Sequence, residues 1–275
     1  MSSKYEGGLV YPGPGQVSYS SFLQLEKILD AQKLVTKSHD EMLFIVIHQT
    51  AELWMKLQIH EMRACRDAIA ADEFLAAFKI VNRIVRIQGH LANAWEVLAT
   101  MTPSDYLKFR DELGRSSGLQ SYQYRVIEFL LGAKSRDTLS RHREYPDHYA
   151  AVEKALNEPS IYDAAVGALA RSGFDIDAAH LNRDVTEAYY SNASVRNAWL
   201  AVYRDTKKYE ELYTLAEALV AVEDQFQTWR YRHMKTVARI IGNKMGTAGT
   251  AGVGYLKHLV DRPFFPELFE VRSEL

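Results

Sequence analysis

An all-α fold, a single-domain helix bundle spanning residues 1–275, is what the sequence predicts, and three observations carry that prediction. No proline occurs between Pro14 and Pro103 or between Pro159 and Pro263, and proline breaks helix interiors, so two long helical blocks fit in those intervals. Apolar residues within them recur in steps of three and four, the spacing of one helix face. Strand-like alternation is nearly absent, and no repeat of fixed period is present.

Taken in order, residues 1–18 read as a flexible N-terminal arm. Ser21 and Gln24 have the spacing of a capping box for a helix reaching Gln32. Asp40 and Glu41 favour the start of a longer helix carrying Phe44, Ile47, Ala51, Trp54 and Cys65 on one face. A second long pattern runs through Phe74, Phe78, Val81, Val85, Leu91, Trp95 and Leu98. It stops before Thr102-Pro103-Ser104-Asp105, which combines an N-cap, a proline at the first helical position and an acidic first turn. A short helix to about Gly114 is expected next, then another over 121–131. From Leu212 the apolar positions Leu215, Leu219, Val222, Phe226, Trp229, Val237 and Ile240 define a long helix, with one vacancy filled by His233. Gly242 suits its stop, because glycine adopts the left-handed conformation without steric cost. The glycine-rich stretch GTAGTAG at 246–252 leads into a last helix near Tyr255.

Composition excludes several classes of function. With 33 Lys and Arg against 35 Asp and Glu, the net charge of −2 gives no field for steering toward nucleic acid or an anionic membrane. The single cysteine, Cys65, has no intramolecular disulfide partner, and the N-terminus lacks the pattern of a secretory leader, so a cytoplasmic location is expected. The most apolar window, MLFIVIHQTAELW, is interrupted by His48, Gln49 and Glu52, and no membrane span is expected.

Bundles build metal and cofactor sites between helices, yet no Glu-x-x-His pair of the di-iron type occurs. His60-Glu61 begins like a zinc-protease helix, but Ala64 stands where the second histidine is needed. His233 is different, because its position on an apolar seam turns the imidazole inward. Periodicity leaves two readings open: a core histidine bonded to a nearby carbonyl or carboxylate, or a proximal heme ligand in a dry apolar slot. Phe44 with His48, and Tyr106 with Arg110, are pairs four residues apart that join an aromatic to a polar head on one face. A locally satisfied His48, and a surface ion pair of Arg110 with Asp105 or Glu112, are the plainer accounts of these pairs. The GTAGTAG loop suits an anion-binding nest, a fold over a ligand or a simple flexible link.

Four long segments then occur together: HDEMLFIVIHQTAELWMK from His39, MTPSDYLKFRDELGRSSGLQSYQYRVIEFLLG from Met101, FQTWRYRHMKTVARIIGNKMGTAGTAGVGYL from Phe226, and FFPELFEVR from Phe264. In these the chain resembles the tryptophan 2,3-dioxygenase family from about Tyr19 to Arg272. The resemblance implies heme b between the long helices, active as Fe2+, with His233 as axial ligand to the iron. It implies L-tryptophan and O2 as substrates and N-formyl-L-kynurenine as product, in the kynurenine pathway. Carried over by position, His48 is the distal histidine facing the indole N–H, Arg110 binds the carboxylate, and Tyr106 and Phe44 line the pocket. Thr247 contacts the amino-acid head group. The family is a homotetramer in which a neighbouring subunit contributes two tyrosines to the pocket, and the matching positions are Tyr19 and Phe22. Where the family usually reads GTGGSSG, this chain has Ala248, Thr250 and Ala251. Those departures keep two alternatives open: insertion of one oxygen into a β-methyl- or otherwise substituted tryptophan to give a 2-oxindole, and a heme-binding helical module without turnover.

Overall fold

The computed structural model describes residues 12, 15–242, 244 and 252–275; Thr247 and the substituted positions Ala248, Thr250 and Ala251 lie outside the described residues. Fourteen α-helices and no strand occur among the described residues: α1 (Tyr19–Leu23), α2 (Leu25–Leu29), α3 (His39–Ala70), α4 (Phe74–Leu98), α5 (Pro103–Leu107), α6 (Tyr122–Leu130), α7 (Arg136–Leu139), α8 (Pro146–Asn157), α9 (Ile161–Arg171), α10 (Ala178–Leu181), α11 (Ala193–Arg204), α12 (Glu210–Ile241), α13 (Val253–Val260) and α14 (Pro266–Glu270). The all-α class is therefore as expected. No helix among the described residues is long and apolar enough to cross a membrane.

The frame consists of α3, α4 and α12, with α4 packed against both of the others. At 1.5 Å rise per residue the 32-residue helices α3 and α12 each extend about 48 Å. That length exceeds what one core needs. The main core gathers residues such as Met62, Val81, Phe129, Leu169, Leu215 and Phe226. A second, smaller cluster of Leu98, Met101, Tyr106, Phe109 and Ile240, with Leu43, Phe44, Ile47 and Trp95 against it, forms where α3 begins and α4 and α12 end.

Local chemistry explains most boundaries, and corrects two. Thr102 caps α5 by accepting from the Asp105 backbone N–H, with Pro103 at the first helical position as expected. The expected box of Ser21 and Gln24 is instead formed one helical turn earlier, by Ser18 and Ser21. Gln24 takes a left-handed conformation at φ 52° and divides the expected helix into α1 and α2. The helix expected to reach Gly114 also breaks: α5 ends at Leu107, and a 3-10 turn, Arg110–Leu113, follows a kink at Phe109. Trp54 departs from the inward face of α3; it is partly exposed and lies flat on His90 of α4, with ring centroids 5.0 Å apart.

A buried polar network fixes α12 just before His233. Arg230 and Glu128 of α6 are both 3 % exposed at their side chains and are joined at 2.8 Å. The Arg230 guanidinium also donates to the Arg262 carbonyl at 2.9 Å and lies between the rings of Phe226 and Phe264, 4.8 Å from each. Arg125 donates to the second oxygen of Glu128. Two helical turns upstream of Arg230, the buried Glu223 carboxylate accepts from the backbone N–H groups of Phe264 and Phe265 at 3.2 and 2.9 Å. Burial of charge is tolerated here because each charged group is both paired and hydrogen-bonded. The consequence is a rigid platform for the C-terminal third of α12.

Candidate functional site

Three helices bring the sequence-predicted residues to the smaller cluster. Phe44 and His48 lie one turn apart on α3, with ring centroids 4.2 Å apart. Phe44 also meets Tyr106 at 6.0 Å and Phe109 edge-on at 5.5 Å. Tyr106, on α5, is buried and packs edge-on against Phe109 at 5.4 Å. These contacts place the two aromatic and polar pairs from the sequence on one wall.

The tautomer of His48 follows from its hydrogen bond. Its Nδ1 lies 2.7 Å from the Phe44 carbonyl oxygen, which only accepts, so Nδ1 carries the proton. Nε2 of the neutral ring is then an acceptor. Burial holds the His48 pKa below the ordinary imidazole value, against the opposing effects of the Phe44 carbonyl and the Glu52 charge. The ring is therefore neutral near pH 7, with its lone pair available.

Arg110 begins the 3-10 turn beyond α5 instead of continuing that helix, yet it stays with Tyr106. The guanidinium donates to the phenol, which partly opposes the rise in Tyr106 pKa caused by burial. The suggested ion pair with Asp105 does not form: Lys108 holds that carboxylate at 2.8 Å, and with Thr102 lowers its pKa to about 2. Two positive groups are thus sorted, Lys108 to the surface acid and Arg110 to the cluster.

His233, on α12, stands between two indoles. Its ring stacks on Trp95 of α4 at 4.5 Å, 13° from parallel, and meets Trp229 at 5.4 Å in a tilted arrangement. Burial, reinforced by the charge of His48, lowers its pKa to about 4. A core histidine of the plain kind has a carbonyl or carboxylate partner, because an unsatisfied buried donor is costly. No hydrogen bond to the His233 ring occurs among the described residues. A neutral imidazole in an aromatic slot, with no hydrogen-bond partner among the described residues, has the chemistry of a metal ligand.

A buried donor lies beside it. The Trp95 Nε1–H is buried and has no acceptor within hydrogen-bonding distance among the described residues. Sequence reasoning gave Trp95 only a place in the apolar stripe of α4, and no local pattern distinguishes a satisfied indole N–H from an orphaned one. Aromatic walls, a half-buried imidazole and a buried, unsatisfied indole N–H fit a flat, mostly apolar prosthetic group that brings a metal and polar edges. The residues present therefore fit heme.

Other sequence features fall outside this site. Tyr19 and Phe22 on α1 remain 77 % and 76 % exposed and do not pack on the cluster. His60 is exposed, whereas the buried Glu61 beside it is held by Arg83 through both oxygens at 2.8 Å. The doublet that begins like a zinc-protease motif thus points two ways. Among the described residues, no group of three or more His, Cys, Asp or Glu is arranged to hold a metal ion.

Comparison with known proteins agrees with the geometry. The family described as tryptophan 2,3-dioxygenase matches this chain over residues 11–159 and 154–275. A tryptophan 2,3-dioxygenase of Bacillus thuringiensis (strain Al Hakam) is 51 % identical over 259 residues, covering 94 % of this chain and 93 % of its own. The protein of that name from Geobacillus thermodenitrificans (strain NG80-2) is 52 % identical over 260 residues, with the same coverage. Tryptophan 2,3-dioxygenase 1 of Ralstonia nicotianae is 52 % identical over 259 residues, 94 % of this chain and 88 % of its own.

Proposed function

Because the chain belongs to the tryptophan 2,3-dioxygenase family, we propose that it is a dioxygenase that opens the C2–C3 bond of the L-tryptophan indole with O2, giving N-formyl-L-kynurenine. The observation that carries this reading is the half-buried, neutral His233 ring, stacked on Trp95 and close enough to feel the charge of His48, with no hydrogen bond to it among the described residues. His233 would hold the heme iron through one ring nitrogen. Heme, when bound, supplies the oxygen-activating redox chemistry.

What the protein supplies is orientation. The indole N–H of the substrate donates to His48 Nε2, the one nitrogen that the Phe44 carbonyl leaves as an acceptor. An imidazole is too weak a base to deprotonate an indole, so His48 positions the ring and does not remove its proton. Phe44 supplies an apolar face for the indole. Arg110, steadied by its bond to Tyr106, holds the planar carboxylate through two parallel charge-assisted hydrogen bonds. Fixing both ends of a free amino acid sets which indole carbons face the iron, and misplacement by about 1 Å costs roughly a hundredfold in rate. On this reading Thr247, which lies outside the described residues, contacts the amino-acid head group.

The same reading makes residues 1–275 one catalytic domain, with residues 1–18 as its N-terminal arm, in a cytoplasmic homotetramer. It is supported by the exposed Tyr19 and Phe22, and by the apolar outer face of α3 at Val46, Leu53 and Leu57. Such a surface is what a subunit contact covers. The reading is tested with His233→Ala, which is expected to keep its helical circular dichroism while failing to take up stoichiometric heme. A heme absorption band of wild-type position and intensity in that variant contradicts it.

A further inference from the structure

We propose that Trp95 is a positioning residue of the heme site: its ring sets the plane of the His233 imidazole, and its N–H donates to a carboxylate at the edge of the heme. The proposal rests on the reading of His233 as the heme ligand.

Two observations carry it. The first is the stack. The Trp95 and His233 rings are 4.5 Å apart and 13° from parallel, whereas Trp229 approaches the same imidazole at 41°. A histidine one turn from the end of the Arg230 anchorage has a fixed Cα, but rotation about its terminal torsion remains broad. A flat neighbour restricts that torsion. Other ligating histidines are usually oriented by a hydrogen bond from the second ring nitrogen. His233 has none among the described residues, so the indole face takes over the orienting role.

The second observation is the orphaned donor. Trp95 Nε1–H is buried and unsatisfied, a state that costs on the order of 1–3 kcal/mol and is seldom retained without a partner. Because the two rings are stacked, this N–H lies in a plane beside the imidazole and is not aimed at either imidazole nitrogen. A heme held by His233 would meet the edge of that imidazole, and the Trp95 indole, nearly parallel to it, would present its own edge to the same group. The acceptors that heme carries at its rim are its carboxylates. Arg232, on the turn of α12 adjoining His233, is engaged elsewhere by Glu96 at 2.6 Å and Asn93 at 2.9 Å. The indole N–H is thus the buried donor at hand beside His233.

The test is a chemical cycle on the full chain reconstituted with ferric heme b or its dimethyl ester. Dissociation is followed by transfer to apomyoglobin, for wild type, Trp95→Phe, Trp95→Leu and His233→Ala. Phenylalanine keeps a ring and removes the donor. With heme b it is expected to release about ten- to hundredfold faster than wild type, the loss of one hydrogen bond to a charged acceptor. With the ester, wild type and Trp95→Phe are expected to release alike, since the cycle isolates the coupling between donor and carboxylate. Equal release of heme b by both, or equal acceleration with acid and ester, overturns the carboxylate assignment. The ring's role is read from the spread of low-spin electron paramagnetic resonance g-values in the ferric cyanide adduct, which reports the orientation of the imidazole plane. Trp95→Phe is expected to keep the wild-type spread and Trp95→Leu to change it; a wild-type spectrum in the leucine variant overturns the stacking role. Normal heme uptake by His233→Ala overturns the ligand reading itself, and with it this proposal. Circular dichroism and thermal melting of both Trp95 variants verify that each remains folded.

Discussion

Replacing Arg110 with lysine separates charge from geometry at the proposed head-group site. The arginine presents a planar fork, and its bond to the buried Tyr106 phenol fixes the direction of that fork. Lysine keeps the positive charge. Its single ammonium cannot reach the phenol and both carboxylate oxygens in the same plane, so one charge-assisted hydrogen bond is lost. At about 1.5–3 kcal/mol for such a bond, kcat/KM for L-tryptophan is expected to fall roughly ten- to hundredfold. The assay is steady-state oxidation of L-tryptophan, with inhibition by indole-3-propionate, which has the carboxylate, and by tryptamine, which lacks it. The variant is expected to bind indole-3-propionate more weakly and tryptamine about as wild type does. Retention of kcat/KM within about threefold of wild type refutes the bidentate role. Equal weakening toward both inhibitors refutes it as well.

Three further predictions concern buried titratable groups. Because burial depresses the folded-state pKa of His48 and takes that of His233 to about 4, the unfolded chain binds more protons than the heme-free native protein between pH 6.5 and 4. Stability of the heme-free protein is thus expected to fall as pH drops through that window, and denaturant titrations that give a pH-independent midpoint there contradict the assignment. For the same reason the acid limb of kcat/KM is expected below the ordinary imidazole value, since protonated His48 has no acceptor for the indole N–H. Glu128→Gln leaves Arg230 and Arg125 without their shared carboxylate and is expected to cost about 3–5 kcal/mol, seen as a melting temperature several degrees lower. A loss under about 1 kcal/mol would mean that water or neighbouring carbonyls satisfy both guanidiniums.

The long helices were legible because periodicity accumulates over many turns. The stripe from Phe74 to Leu98 coincides with α4, and the run from Leu212 with its vacancy at His233 lies within α12. Short elements were less so. Ser18 and Ser21 have the same capping chemistry as Ser21 and Gln24, and only the left-handed turn at Gln24 decides between them. Helices α7 to α11 run from four to twelve residues and left too short a pattern for assignment. At the site, spacing paired Phe44 with His48 and Tyr106 with Arg110, but a kink at Phe109 means that the second pair is held by a hydrogen bond and not by one continuous helix. The stack of Trp95 on His233 joins α4 to α12 across 138 positions of sequence. Such a contact belongs to tertiary structure, and nothing local announces it.

Ring opening with both atoms of O2 retained is tested by mass spectrometry of the product formed from L-tryptophan under 18O2. N-formyl-L-kynurenine carrying two labels is expected as the dominant product. A 2-oxindole carrying one label, or no turnover of L-tryptophan by protein with its full complement of heme, contradicts it.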